Sequence, residues 1–364
     1  MDLNLIKDLV FVEGVSGFES KIRGKIKNEI EKSKPDDIKI DNLGNLIAIK
    51  KGKSDDFILF VAHMDELGLV VSAIDEDGLI SFKKIGGIDD KILPSRFFRI
   101  LGSKGEVIGV TGLLPPHLSI DNKTSENTIP WYNLKIDIGA KSKSEVLEKG
   151  IEVGTPIVFQ KEFYANDDLI ISRGLDDRVG VYILTKILEF FKEKKPYNNI
   201  IIAFTVEEEI GLRGASVLAN NFNPDFVIAI DSMSSTDIYN TPSIYKNSIN
   251  LGFGPVIRKV DARMIVNEDV FDFIKNIANK SKIPYQIGVS GGSTDASIIE
   301  ISNKGYKSVP LCVPIRYTHS TVEICSIKDI ENLISLSIEI VQNKLELLWS
   351  MKNMLMKLLI YIKI

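Results

Sequence analysis

Only three histidines occur among the 364 residues, and two of them follow apolar runs that are typical of buried strands. His63 ends the run FILFVAH, and His319 comes directly after SVPLCVPIRYT. Acidic residues follow two further runs of this kind, with Glu207–Glu209 after NIIIAFTV and Asp231 after FVIAI. Nitrogen and oxygen donors without a thiolate suit Zn, Co or Mn. The pattern therefore predicts a site for divalent cations at one sheet edge, where the carboxyl ends of parallel strands meet.

A solvated turn after a strand is the simpler interpretation of any one of these residues, but four together favour a site. Asp176 and Asp177 precede a long helical pattern and admit two roles. Aspartate is a favoured N-cap whose charge suits the positive end of the helix dipole, and one carboxylate could also bridge two metal ions. Both roles fit if each aspartate takes one. Asp65 shares a strand face with His63, so it could accept the second ring N–H and fix the tautomer.

The composition is that of a globular protein, with 44% apolar and 26% charged residues. A length of 364 residues predicts two or three domains. The net charge of −4 gives no electrostatic reason to expect nucleic acid as a partner. Two cysteines, Cys312 and Cys325, cannot form a disulfide scaffold. A reducing compartment, the cytoplasm, is therefore expected.

No targeting or membrane segment is expected from the sequence. The first ten residues lack a basic start followed by an uncharged apolar core, so no signal peptide is predicted. No charge-free apolar run is long enough to span a bilayer, so a membrane is not expected as a partner. The apolar end, LELLWSMKNMLMKLLIYIKI, carries four charged residues. It favours a helix docked on the body or on a neighbouring subunit, with an interfacial membrane helix as the alternative.

The chain changes texture along its length. Helical spacing predicts helices near residues 3–10 and 19–32, and apolar runs predict strands at 45–50 and 57–62. Between about 69 and 164, short apolar pieces separated by Gly and Asp predict a small all-β unit. Strands then alternate with helical patterns, which predicts α/β layers around a mostly parallel sheet. We therefore predict an α/β domain from residues 1–68 and 165–364, interrupted by a β domain at 69–164.

With these residues assembled, the chain resembles family forty-two of the metallopeptidases, which includes the tetrahedral (TET) and glutamyl aminopeptidases. The resemblance spans roughly residues 1 to 345 and rests on motifs in a fixed order. In sequence these are GVSGFE, DNLGN, AHMDELG, GVTGLLPPHL, GLDDRVG, FTVEEEIGLRGA, AID, GFGP, GGSTDA and PIRYTHSTVE. The resemblance implies a three-layer αβα zinc-peptidase-like catalytic domain. It also implies an inserted small all-β domain, PDZ-like or barrel, through which subunits dimerise.

The resemblance also implies two divalent metal ions per subunit, Zn, Co or Mn, and a set of ligands. By the family pattern, the first ion is held by His63, Asp176 and Asp231. The second ion is held by Asp176, Glu209 and His319. Asp176 is thus expected to bridge the two ions, and its peptide bond to Asp177 is typically cis in such sites.

Further residues take roles by the same resemblance. Glu208 is expected to be the general base and Asp65 to orient His63. The GGSTDA loop, with its substrate-binding candidates Gly291, Gly292 and Thr294, is expected to shape the substrate pocket. The match has two departures, Glu207 and the apolar tail after about Trp349, which has no counterpart in the family. Many relatives carry Gln where this chain has Glu207, so the three glutamates are assigned from the EEIGLRGA register. His117 matches the family but falls in the inserted domain, where a structural role is expected.

The expected function is that of a di-metal aminopeptidase acting on short peptides. A metal-activated hydroxide would attack the first peptide carbonyl, with a glutamate as general base. The alternatives are another metal amidohydrolase (a carboxypeptidase or an N-acyl deacetylase), an endoglucanase as some relatives are labelled, and a non-catalytic scaffold that only binds metal. The resemblance further implies a homo-oligomer, built from dimers and often assembled as a hollow dodecamer.

Overall fold

The computed structural model describes residues 1–118, 128–246 and 248–345. The end of the chain after Trp349, for which a docked helix was predicted, lies outside these residues. The strands, in chain order, are β1 Asp37–Ile40, β2 Leu46–Lys50, β3 Phe57–His63, β4 Gly68–Ile74, β5 Ile80–Ile85, β6 Phe97–Gly102, β7 Gly105–Thr111, β8 Ile136–Asp137, β9 Pro156–Phe159, β10 Phe163–Ala165, β11 Leu169–Ser172, β12 Asn199–Thr205, β13 Phe226–Ser234, β14 Val256–Val260, β15 Gln286–Val289, β16 Ser308–Arg316 and β17 Glu323–Ser326.

The helices are α1 Leu3–Phe11, α2 Ser20–Glu31, α3 Lys143–Glu148, α4 Leu175–Phe190, α5 Arg213–Asn221, α6 Glu268–Lys280, α7 Asp295–Glu300 and α8 Ile327–Gln342. The helices and strands predicted in the first 62 residues are confirmed as α1, α2, β2 and β3. Among the described residues, no helix is long and apolar enough to cross a bilayer.

Eleven of these strands form one large mixed sheet. Its centre has the order β12-β3-β13-β16, and these four strands run parallel. Every residue of β12 is buried, as are nearly all residues of the other three. Parallel strands covered on both faces need such continuous apolar sequences, which explains why the runs lack alternation.

Helices α4 and α7 both contact this sheet, α1, α2 and α8 pack with α4, and α5 packs with α7. The remaining six strands close into an antiparallel barrel in the order β4-β5-β8-β7-β6-β9. The barrel has its own core, which includes Phe82, Phe98 and Phe159.

The predicted α/β domain with an inserted all-β unit is thus confirmed. The predicted limits of the insertion, 69 and 164, stay a prediction. The barrel strands extend from Gly68 to Phe159, and β10 already pairs with β11 in the large sheet.

Candidate active site

The four central strands bring the candidate ligands to one edge of the sheet. His63 is the last residue of β3, and Asp231 lies in the second half of β13. Glu209 lies four residues beyond the end of β12, and His319 lies three residues beyond the end of β16. Because the strands are adjacent and parallel, their carboxyl ends lie at the same edge of the sheet, which is where ligand-binding sites form in open α/β folds.

Asp176 enters this edge from the start of α4. The Asp176–Asp177 peptide bond is cis, as the resemblance implied, and both residues have non-helical backbone angles. Asp177 Oδ1 accepts the backbone N–H of Gly180 at 3.0 Å, so Asp177 caps the helix. The carboxylate of Asp176 instead faces two imidazoles. His63 Nε2 lies 3.3 Å from Oδ1, and His319 Nε2 lies 3.4 Å from Oδ2.

The side chains form two groups that share Asp176. One group consists of His63, Asp176 and Asp231, and the other consists of Asp176, Glu209 and His319. Within each group the potential ligand atoms lie within 4.8 Å of one another. These are the same two triplets that the family pattern implies, so the fold brings together all five residues predicted as ligands.

The residues present fit a pair of divalent cations. Asp176 Oδ1 is buried and makes no hydrogen bond, although a buried carboxylate oxygen ordinarily has a partner. The donors are imidazole nitrogens and carboxylate oxygens, which suit Zn, Co or Mn. Burial alone would raise the pKa of Asp176, but the two imidazoles hold it well below its usual range. Asp176 is therefore ionised and available as a bridging ligand.

The other acids of the cluster are shifted in the opposite direction. Burial, reinforced by the charge of Asp176, raises the pKa of Glu209 and of Asp231 to about 7. Burial also raises the pKa of Glu208 well above its ordinary value, with Asp231 adding to the effect. Buried carboxylates this close repel one another, and a bound cation would reverse that balance by stabilising their ionised forms.

Asp65 connects the first imidazole to the glutamate loop. Its carboxylate is fully buried and accepts three hydrogen bonds, from Ser16 Oγ at 2.6 Å, the backbone N–H of Glu208 at 3.0 Å and that of Glu209 at 3.2 Å. His63 Nδ1 lies 3.3 Å from the backbone carbonyl oxygen of Asp65 and 3.5 Å from its carboxylate. The carbonyl oxygen is thus the nearer acceptor for the ring N–H, where the sequence suggested the carboxylate.

A cavity of about 550 Å³ opens over the two groups. Glu208 lines it together with His63 and His319. Arg258 from β14 and Arg263 also line it, and the charge of Arg258 acts to lower the pKa of the nearby Asp231. Arg258 is only 4% exposed, and its guanidinium donates to Ser290 Oγ at 2.9 Å while its Nε has no partner. The lining therefore has an acidic part and a cationic part. We call Glu208 with the carboxylates of the two ligand groups the acidic floor, and Arg258 with Arg263 the cationic wall.

The predicted substrate loop is only partly at this cavity. Gly292 lines it, whereas Gly291 is exposed and outside the described lining. Thr294 is fully buried directly before α7, and its Oγ has no hydrogen-bond partner. His117 is exposed in the short turn at 116–118 and is also outside the lining. Substrate binding by the three loop residues stays a prediction.

Several residues that support the site through hydrogen bonds were not predicted from the sequence. Ser16 binds Asp65, and Glu19 Oε1 accepts the backbone N–H groups of Gly17 at 2.7 Å and Glu207 at 3.2 Å. Ser16 and Glu19 lie in the GVSGFE motif, which was the available signal. The arginines of the cavity wall follow the GFGP motif, but nothing in the local pattern marks them as site residues.

Comparison with known proteins identifies relatives over most of the chain. The model of the M42 glutamyl aminopeptidase family matches residues 44–336. A lysyl aminopeptidase of Pyrococcus furiosus is 34% identical over 340 residues, which cover 93% of this chain and 96% of that protein. A glutamyl aminopeptidase of Lactococcus lactis is 31% identical over 331 residues, which cover 89% of this chain and 91% of that protein.

Solved structures show the same similarity. The TET1 peptidase of Pyrococcus horikoshii, which can assemble into a tetrahedron or a large octahedral shell, is 40% identical with a TM-score of 0.86. The match covers 94% of this chain and 99% of that one. The name endoglucanase belongs to a more distant structure from Thermotoga maritima, which is 30% identical with a TM-score of 0.75 and covers 93% of this chain and 96% of that one.

Proposed function

Because this chain belongs to the M42 glutamyl aminopeptidase family and is a peptidase, we propose that it removes N-terminal residues from short peptides with two bound divalent cations. His63, Asp176 and Asp231 would hold one cation, and Asp176, Glu209 and His319 would hold the other. The observation that carries this proposal is the pair of ligand groups that share the carboxylate of Asp176. Cations bound there would polarise the scissile carbonyl and lower the pKa of an attacking water.

Glu208 is the proposed general base. It lines the cavity beside both ligand groups, and its backbone N–H is held by Asp65. From this position its carboxylate takes the proton of the attacking water and returns it to the leaving amine. Asp65 fixes both the His63 ring and the backbone of the glutamate loop, so it acts on base and ligand together.

The acidic floor supports action at the amino end of a peptide. Among the residues that line the cavity, Glu208 is the acid outside the two ligand groups, so its carboxylate would not be neutralised by the cations and would attract a protonated terminal amine. The cationic wall supports an acidic first residue. Arg258 lines the cavity, so its guanidinium would donate a charge-assisted hydrogen bond to the side-chain carboxylate of an N-terminal Glu or Asp. Arg263 at the exposed part of the wall adds a second positive charge.

A carboxypeptidase is the second candidate, because Arg258 could equally bind the terminal carboxylate of a peptide. An N-acyl deacetylase or an endoglucanase has less support. The relatives are aminopeptidases over nearly their full length, and a glycosidase that uses a pair of carboxylates needs no metal.

A substrate panel separates these functions. Fluorogenic Glu, Leu and Lys amides, N-acetyl-Glu amide and a C-terminally free blocked peptide would each be assayed with and without chelator. We expect metal-dependent cleavage of free-amine substrates, with the Glu amide cleaved fastest. Cleavage of only the N-blocked, C-terminally free peptide would instead identify a carboxypeptidase. Arg258→Gln should reduce kcat/KM for the Glu amide by about tenfold or more and leave the Leu amide almost unchanged, because a hydrogen bond to a charged group contributes roughly 1.5–3 kcal/mol. Arg96→Gln, on the barrel, is the charge-matched control.

We further propose a homo-oligomer built from dimers, with a dodecamer as its larger form. Support comes from the Pyrococcus horikoshii relative, which forms closed shells. Light scattering on the purified full-length chain tests this directly. A particle of about twelve chains is expected, and a monomer at all concentrations would contradict it.

A further inference from the structure

Two buried charged residues near the metal ligands have no role in the proposed chemistry. Arg173 follows β11, and Glu323 begins β17. The two strands are antiparallel, and Ser172 pairs with Glu323, so both side chains start from the same end of the ribbon. Arg173 is 4% exposed and Glu323 is 2% exposed. Burying two ionisable groups is costly unless each has specific partners, so we asked what each one binds.

Glu323 holds the backbone at the start of α4. Its Oε2 accepts the N–H of Leu175 at 2.7 Å and lies 3.4 Å from the N–H of Asp176. These are the N–H groups immediately before the cis bond, where the backbone is not helical and has no intrahelical acceptor. A carboxylate that accepts both N–H groups fixes the direction in which the Asp176 side chain leaves the backbone.

Arg173 holds the two loops on either side of that carboxylate. Its guanidinium donates to the carbonyl oxygen of Ser320, next to His319, and to that of Leu67 at 3.2 Å. It also lies over the ring of Phe159 in the barrel, 3.9 Å from the centroid. His319 has φ of +62°, a left-handed conformation that a non-glycine residue seldom adopts without support from its neighbours. The hydrogen bond to Ser320 supplies such support.

We propose that Arg173 and Glu323 are positioning residues for the second cation, the one held by Asp176, Glu209 and His319. This inference rests on the proposed di-metal function. Neither side chain is proposed to touch a cation or substrate. Glu323 acts through the backbone of Asp176, and Arg173 acts through the turn that carries His319.

Binding of the second cation should depend on Arg173 and Glu323 more strongly than binding of the first cation does. His63 and Asp231 belong to the adjacent strands β3 and β13, which pair over residues 58–61 and 226–229. Glu209 and His319 lie in loops beyond the strand ends, and the His319 side chain is 45% exposed. Residues that orient metal ligands by hydrogen bonding, without binding the metal themselves, typically weaken metal binding about 10- to 100-fold when they are replaced. The loss should therefore be larger at the second ion than at the first, which shares only Asp176 with it.

The test is a metal titration rather than an activity assay. The full-length chain, stripped of metal, would be titrated with Mn²⁺ while free Mn²⁺ is followed by its EPR signal. The variants are Glu323→Ala, Glu323→Gln and Asp329→Ala. Asp329 is a matched control, because this fully buried carboxylate also accepts two backbone N–H groups, those of Gly252 and Gly254, both at 2.7 Å.

We expect the wild type and Asp329→Ala to bind two Mn²⁺ with the same affinities, even if Asp329→Ala is less stable. Glu323→Ala should bind the second ion about 10- to 100-fold more weakly, and the first ion with a smaller loss, because Asp176 also belongs to the first ligand group. Glu323→Gln keeps an oxygen acceptor and should be close to wild type. If Glu323→Ala is insoluble, Arg173→Lys takes its place, and the same selective loss is expected because the forked donor is gone.

Two results would overturn the inference. One is a Glu323→Ala or Arg173→Lys chain that binds both ions like the wild type. The other is an equal loss at both ions. A wild-type chain that binds no pair of ions at all would instead contradict the proposed function, so the two failures are distinguishable.

Discussion

Replacing Asp65 with Asn is the most informative single substitution near the site, because it nearly preserves shape while changing the hydrogen bonds. In the wild type, Oδ1 accepts the N–H of Glu208, and Oδ2 accepts Ser16 Oγ and the N–H of Glu209. An amide has one acceptor oxygen. If that oxygen takes the Oδ2 position, the amide NH₂ faces the N–H of Glu208. In the opposite orientation, the NH₂ faces the two groups that donate to Oδ2 in the wild type.

The expected loss follows from that geometry. At least one hydrogen bond to a charged group disappears, which costs about 1.5–3 kcal/mol. If the lost hydrogen bond raises the activation free energy by this amount because Glu208 is no longer held in place, kcat falls about 10- to 100-fold, since 1.36 kcal/mol corresponds to tenfold in rate. The assay is steady-state cleavage of a Glu amide by metal-loaded enzyme, paired with urea denaturation.

Ser16→Ala is the control for Asp65→Asn. It removes one hydrogen bond from the same carboxylate at Oδ2 but leaves the bond to Glu208 in place. It should lower the free energy of unfolding by about 1.5–3 kcal/mol with little change in kcat. An Asp65→Asn enzyme with wild-type kcat and normal metal content would refute the argument that this carboxylate positions the base.

Three other predictions concern the same region. Glu208→Gln should retain two ions per chain but lose about 10²- to 10⁴-fold in kcat, because proton transfer is lost while the ligands remain; metal analysis together with kcat checks this. Gly180→Ala should lower the midpoint temperature of thermal unfolding, because a Cβ there would lie 2.3 Å from the Asp177 carboxylate that caps α4. Gly24→Ala is the control, because a Cβ at Gly24 meets nothing within 4 Å. The affinity for Mn²⁺ should rise as the pH increases from about 6 and keep rising above pH 8. Burial raises the pKa of Glu209 and Asp231 to about 7, the contact with Asp176 raises the pKa of His319 to about 10, and all three must lose a proton to bind. Titrations in buffers of different ionisation enthalpy should detect proton release, and a pH-independent affinity would contradict this prediction.

The sequence predicts the elements that carry the ligands because the relevant signals are local. The runs that become β3, β12, β13 and β16 are continuous and apolar, and their polar followers stand out in the printed sequence. The rule that parallel strands open at one edge then gives the convergence of the ligands. The two possible roles of Asp176 and Asp177 are also local, and Asp177 does cap the helix.

The supporting contacts could not be predicted in the same way because they connect distant segments through backbone atoms. Glu19 binds the N–H of a residue 188 positions away, and Glu323 binds one 148 positions away. Any residue type offers the same N–H, so no sequence pattern marks the partner. The wall formed by Arg258 and Arg263 depends on the pairing of β14 with β16 and β15, which periodicity does not specify.

Five residues are proposed to hold two cations around one shared carboxylate. A crystal structure of the full-length chain grown with Mn²⁺, with anomalous data to locate the ions, would test this arrangement. Two anomalous peaks per chain are expected about 3.5–4 Å apart, on either side of the Asp176 carboxylate, with His63 bound to one and His319 to the other. A single peak, or peaks that avoid Asp176, would contradict it.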